Sequence, residues 1–152
     1  MPRRPALISA LVAGALVLAG LTAASAPASA TSLPLVLEMT TNAGTPVSLP
    51  LYGTVPTLQV DWGDGGAFEP VNAAGEVPHT YASGGTHTVS VFGGMLTHFG
   101  DAVNGYAGAP FLTSVTSFGL LGLTDLSGAF KGASALTTVP TATSGSPPAT
   151  AG

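Results

Sequence analysis

The sequence predicts a mainly β protein: an antiparallel β-sandwich followed by a short leucine-rich segment. Three observations carry that expectation. Residues 31–99 alternate apolar and polar side chains with a period of two, the period of a strand with one buried face. Clusters of Asn, Asp, Gly and Pro separate these runs, and short strands joined by frequent turns favour a sandwich over a barrel or an α/β fold. Past residue 100 the alternation gives way to spaced Leu pairs, which is how a solenoid reads.

The N-terminal stretch is set apart from that domain. Residues 1–30 read MPRRPALISALVAGALVLAGLTAASAPASA. Arg3 and Arg4 make a positive start, 6–23 is an apolar run, and Ala28-Ser29-Ala30 places small residues where a leader peptidase cuts. That order describes a secretory signal peptide. The run is near the lower length for crossing ~30 Å of hydrocarbon, and no basic stop-transfer cluster follows it. Pro5 directly after the Arg pair favours the general export pathway over a twin-arginine one. With no Cys in the chain, a lipid-anchored N-terminus, a disulfide and a thiolate metal site are all excluded. The expected mature chain keeps Lys131 against Glu38, Asp61, Asp64, Glu69, Glu76, Asp101 and Asp125, a net charge of −6. Such a chain is a poor partner for nucleic acid or for an anionic membrane surface.

The elements follow in order. Leu33, Leu35, Leu37 and Met39 alternate with Pro34, Val36 and Glu38 and predict a first strand. Asn42-Ala43-Gly44 is a turn. Val47, Leu49 and Leu51 alternate again; Pro50 lacks an N–H, so this strand is expected at a sheet edge. Leu58, Val60 and Trp62 share a face opposite Gln59 and Asp61. Gly63-Asp64-Gly65-Gly66 is a hairpin turn, because Asp-Gly suits the positive φ angles of a tight turn, and residues 68–71 return. Residues 86–92 form the clearest strand, with His87, Val89 and Val91 on one face.

The pairs Leu112/Val115, Leu123/Leu126 and Leu136/Val139 span a unit of 24 from first to third. Residues 123–134 read as a turn followed by a short helix. About one and a half units are present, against the roughly three that bury a continuous solenoid core. Residues 141–152 hold only Thr, Pro, Ser, Ala and Gly, a composition expected to stay disordered. The organisation is thus a signal peptide (1–30), a sandwich (31–99), a partial leucine-rich segment (100–140) and a disordered tail (141–152).

The most specific pattern is Asp61-Trp62-Gly63-Asp64-Gly65, then His79-Thr80-Tyr81, then residues 84–91, GGTHTVSV. It resembles the PKD-type (Ig-like) β-sandwich over residues 57–92, with His87 where that pattern carries an aromatic. The resemblance implies a structural motif made of Asp61, Trp62, Gly63, Asp64, Gly65, His79, Tyr81, Val89 and Val91. In physical terms Trp62 is large enough to anchor the interior. Asp64 suits an acceptor for N–H groups in its own turn, and Tyr81 suits a buried ring with a bonded hydroxyl. Residues 111–140, including Leu123-Thr124-Asp125-Leu126, Ser127-Gly128-Ala129-Phe130 and Leu136-Thr137-Thr138-Val139-Pro140, resemble the BspA-like (DUF285-type) leucine-rich repeat surface proteins. That resemblance implies a cell-surface or secreted role in adhesion.

Candidate chemistry is sparse. Asp61, Asp64 and Glu69 are candidates for a Ca²⁺ site, since hard cations take several oxygens, but they lack the dense D-x-D-x-D spacing of a dedicated loop, and turn capping is favoured. His79, His87 and His98 are candidates for zinc, but no two have helical ligand spacing, and packing or exposure is favoured. No G-x-S-x-G elbow is present, and Gly63, Gly65 and Gly66 open no helix that would cradle phosphate. The expectation is a non-catalytic module without cofactor, displayed outside the cell and binding an extracellular protein or glycan, with Gly63–Gly66 and Asn72–Val77 as contact turns. The alternative is a carbohydrate-binding accessory module of a secreted hydrolase, which would need a sugar-stacking platform among Trp62, Tyr52 and Tyr106.

Overall fold

The computed structural model of the chain describes residues 33–55 and 57–141. The expected signal peptide and residues 142–152 of the tail lie outside the described residues. Eight strands and one 3-10 turn follow in order: β1 (Leu35–Thr41), β2 (Pro46–Tyr52), β3 (Leu58–Asp61), β4 (Glu69–Val71), β5 (Gly75–Thr80), β6 (Gly85–Gly93), β7 (His98–Phe99), the 3-10 turn Ala109–Phe111, and β8 (Leu112–Ser117). They form two antiparallel sheets, one ordered β4-β3-β6-β1-β8 and the other β5-β2-β7. Side chains from both sheets meet in a single buried apolar cluster, the arrangement of a β-sandwich.

Alternation in β1 and β6 builds the centre. Leu35, Leu37 and Met39 of β1 are buried, and β6 answers them with Val91, Val89 and His87 at the opposed positions. Leu58 and Val60 of β3 extend the inner face on the far side of β6. Facing them, the other sheet contributes Val47, Leu49, Leu51 and Phe99. Each buried Leu or Val adds roughly 1.5–3 kcal/mol of transfer free energy. Leu33, grouped by its spacing with this set, is instead 50% exposed and lies before the strand.

Two expectations are corrected. The strand containing Pro50 is not an edge: β2 is the middle strand of its sheet. Its ladder with β5 covers Pro46 to Leu51, whereas β7 covers only Leu51 and Tyr52. The Pro50 carbonyl accepts from Gly100 N–H at 3.1 Å, just beyond β7. N–H and C=O of one strand residue point the same way, so the missing donor of Pro50 faces the side where the ladder is short, and no β5 bond is lost. The second correction concerns residues 123–134, which form successive turns and no helix. Ala129, Lys131 and Ala133 donate to the carbonyls three residues back. Gly128 (φ +75) and Gly132 (φ +82) are left-handed, which stops these turns from continuing into an α-helix.

The boundary expected after residue 99 does not divide the sheets. β8 pairs with β1, and its Leu112 and Val115 are fully buried in the common core. The chain then returns alongside both sheets. Asp125 makes a parallel bridge to His98 of β7, and Thr138 a parallel bridge to Ser114 of β8. Backbone bonds Val115 N–H to the Thr138 carbonyl (2.9 Å) and Thr137 N–H to the Thr113 carbonyl (3.0 Å) fix the second of these. The contact is close: a Cβ at Gly128 would overlap the backbone of Asp101 and Ala102.

That contact generates a prediction. Gly65 is also left-handed (φ +83) but has open space around it. Gly65→Ala is expected to cost about 1–2 kcal/mol from backbone strain alone. Gly128→Ala carries the same strain plus about 1–3 kcal/mol of overpacking. Urea unfolding of the two variants measures the difference, and equal costs would show that residues 101–102 and 128 do not touch.

Candidate functional site

Two places collect the side chains singled out above. The first lies at the turn after β3. Trp62 directly follows that strand and is 3% exposed. Its indole Nε1–H donates to Glu69 Oε2 at 2.8 Å, across the hairpin from β3 to β4. Its carbonyl accepts from the buried Tyr81 hydroxyl at 3.0 Å. The His79 ring stacks on the indole at 4.4 Å with 10° between planes, and Tyr81 meets it edge-on at 6.4 Å. Behind Tyr81, the His87 ring stacks at 3.7 Å with 12° between planes. Val89 and Val91 continue that face as fully buried core.

The acids of this motif hold turns. Asp61 Oδ1 accepts from Gly63 N–H at 2.9 Å and Asp64 Oδ1 from Gly66 N–H at 3.0 Å. Asp64 Oδ2 sits 3.1 Å from His79 Nε2. The Gly66 N–H, and then the nearby His79, hold the Asp64 carboxyl below its ordinary value, against an opposing desolvation effect. Gly63 is left-handed (φ +72) and lies so near the Thr88 backbone that a Cβ would overlap it. Gly65 is left-handed at the tip. The chemistry available here is geometric: each carboxylate bonds an N–H of the hairpin.

Among the described residues, no three His, Asp or Glu side chains gather where they would hold a metal ion. The oxygens of Asp61, Asp64 and Glu69 are directed to separate donors. His79 and His87 flank Tyr81, whereas His98 lies on β7, across β2 from the β5 strand that carries His79. The Nε2 of His87 and the Oγ1 of Thr41 are buried without a protein partner; both point inward, on the paired strands β6 and β1.

The second place is a cleft of about 300 Å³ lined by Tyr52, His98, Gly100, Asp101, Ala102 and Val103. Tyr52 ends β2 and His98 begins β7; the register opposes them, with ring centroids 6.0 Å apart. His98 Nε2 lies 3.2 Å from the Ser127 carbonyl, which fixes Nε2–H as donor, and Nδ1 lies 3.8 Å from Asp125. Asp101 Oδ1 accepts from Val103 and Asn104 N–H groups at 2.8 and 3.0 Å, which folds the rim into a turn. Val103 at that rim is 77% exposed. Partial desolvation, then Glu76 and Asp101, raises the Tyr52 hydroxyl above its ordinary value.

Of the three aromatic candidates for sugar stacking, Trp62 and Tyr106 are buried, at 3% and 7%. The Tyr106 hydroxyl donates to the Ala129 carbonyl at 3.0 Å. Tyr52 remains half-exposed, in the cleft. Asp101 and Val103 belong to no motif that marks a site in the sequence. Asp101-x-x-Asn104-Gly105 is a legible Asp-initiated turn, but nothing local tells that it closes over Tyr52. Comparison with protein-family models, with curated proteins and with solved structures returns no match.

Two predictions follow from the Trp62 cluster. Trp62→Ala is expected to cost ~3–5 kcal/mol, as for other large-to-small core changes, measured by urea or thermal unfolding. A loss below ~1 kcal/mol would mean an exposed ring. Asp64 gives a pH dependence. Its folded pKa lies below its unfolded value, near 3.9 in model peptides. Its stabilising effect is therefore present above about pH 4 and fades as pH falls through the folded value. The stability gap between the native chain and Asp64→Asn should close as pH is lowered from 6 to 2. A gap independent of pH would show that the carboxylate charge plays no part.

Proposed function

We propose that this chain is an exported, non-catalytic surface or secreted module for adhesion or structural display. On this reading its sandwich is PKD-like and its C-terminal part is a short BspA-like leucine-rich repeat. One observation carries the reading: the sheets run on, through the parallel bridges at His98/Asp125 and Ser114/Thr138, into a second layer of chain. Such a body is a stiff spacer that presents loops along one side. The use of Asp61, Asp64, Glu69 and His79 to brace one hairpin supports a motif serving geometry. The signal-like residues 1–30 support export. The partner is an extracellular protein or glycan.

The cleft favours a second reading, a carbohydrate-binding accessory module of a secreted hydrolase. Tyr52 offers a ring face, and Asp101 borders the same space. Aromatic faces that stack on sugar rings, with carboxylates that accept hydrogen bonds from sugar hydroxyls, are the parts such a site needs.

Both readings are tested on the full chain expressed in a bacterial host. Export predicts a mature product beginning at Thr31, found outside the cytoplasm by N-terminal sequencing of fractions. An unprocessed cytoplasmic product overturns it. On a glycan array, the accessory-module reading expects binding that Tyr52→Ala lowers at least about tenfold, a ~1.4 kcal/mol loss. Binding to an extracellular-matrix protein that Tyr52→Ala leaves unchanged favours adhesion.

A further inference from the structure

The return layer repeats the layer beneath it. Residues 101–115 (DAVNGYAGAPFLTSV) and 125–139 (DLSGAFKGASALTTV) match at Asp101/Asp125, Gly108/Gly132, Ala109/Ala133, Leu112/Leu136, Thr113/Thr137 and Val115/Val139. The structure stacks them at that same offset: the Thr137 hydroxyl donates to the Thr113 carbonyl, 24 residues earlier, at 3.2 Å. Two coils of one pattern therefore lie in register.

Each layer also docks on the one below by the same device. Thr113 of the first coil donates its hydroxyl to the Glu38 carbonyl of β1 at 3.1 Å, as Thr137 of the second coil does to Thr113. Gly108 lies so close to the Ser48 carbonyl of β2 that a Cβ would overlap it, and Gly132 faces Ala109. The Asp at the head of each coil closes its own turn: Asp101 accepts from Val103 and Asn104, Asp125 from Ser127 at 2.7 Å. The sandwich thus serves as the layer on which the first coil rests.

Burial breaks this symmetry. Tyr106, Ala109, Leu112 and Val115 of the first coil are 7%, 1%, 0% and 0% exposed. Their equivalents Phe130, Ala133 and Leu136 are only partly buried, and Val139 is 41% exposed. The second coil thus leaves partly exposed the apolar set that is buried in the first.

We infer that the outer face of residues 123–139 is a docking surface for a polypeptide coil of the same 24-residue pattern. The inference rests on the leucine-rich reading proposed above. The occupant is named by continuity: the one interface of this kind in the described chain joins two copies of the pattern, and the face left open carries the residues that made it. The incoming coil brings a small residue to face Ala133, a Thr hydroxyl to the Thr137 carbonyl, and Leu and Val over Leu136 and Val139.

The test inserts a second copy of residues 118–141 after residue 141 of the full chain. Amide exchange at residues 136–139 is expected to slow at least about tenfold, and the unfolding midpoint to rise by about 4 °C or more. The same insertion with Leu136→Asp in the added copy is expected to lose both effects. An inserted segment that exchanges at unfolded rates, with residues 136–139 unchanged, overturns the inference. So does an unmodified chain that sediments as a dimer with residues 136–139 protected, because the face would then belong to a second copy. Export is read from cellular location and leader cleavage, so its failure is distinguishable from the failure of coil docking.

Discussion

The constraint on which the rest depends is the double pairing of β1. Seven residues of β1 pair with β6 on one side, from Leu35/Val91 to Thr41/Gly85, and four, Val36 to Met39, pair with β8 on the other. β6 lies close in sequence to β3 and β4; β8 brings in the chain beyond residue 99. One strand therefore ties the two halves into one core. With no Cys in the chain, no covalent link shares this task. Cohesion comes from backbone bonds and from the apolar set Leu35, Leu37 and Met39, whose burial requires that both neighbours be in place.

Charge is scarce and serves local geometry. Lys131 donates to the carbonyls of Ala102 and Val103 at 3.1 and 2.6 Å, holding the rim of the cleft to the second coil. Asp101 closes the same rim from below through two N–H groups. Exposed ion pairs contribute little, whereas acceptors for turn N–H groups and donors for free carbonyls remove specific unmet bonds. The same economy appears at Trp62, where indole, imidazole and three carboxylates assemble around one hairpin.

The sequence made the central strands legible and the cleft illegible, for physical reasons. Alternation in residues 35–41 and 85–93 reports a half-buried strand directly, so β1 and β6 were readable. Pro50 misled because an absent N–H excludes a residue from a ladder only on the side it faces, and there β7 is two residues long. The helix expected in residues 123–134 failed because Gly128 and Gly132 take left-handed angles, and at Gly128 the backbone of Asp101 and Ala102 leaves no room for a Cβ. The leucine spacing disclosed the 24-residue unit, but the matches at Asp101/Asp125 and Gly108/Gly132 carried equal information. The Tyr52–His98 cleft depends on where the end of β2 meets β7, a long-range pairing that no local pattern encodes.

These features converge on how layers are joined without disulfides or strong ion pairs. A glycine lets the first coil approach the sheet closely, and in both coils a threonine hydroxyl bonds a carbonyl of the layer below. Gly108 brings the first coil against the Ser48 carbonyl of β2 and Thr113 bonds it to the Glu38 carbonyl of β1; in the second coil Thr137 repeats the hydroxyl bond and Gly132 faces the Ala109 side chain. Small residues and hydroxyls are insensitive to salt and to pH over the range where carboxylates and imidazoles titrate. A stack built this way keeps its geometry in environments that a cell does not control. Its sensitivity lies elsewhere, in the carboxylates that cap the turns, so acid should loosen the Asp64 and Asp101 loops before it separates the layers.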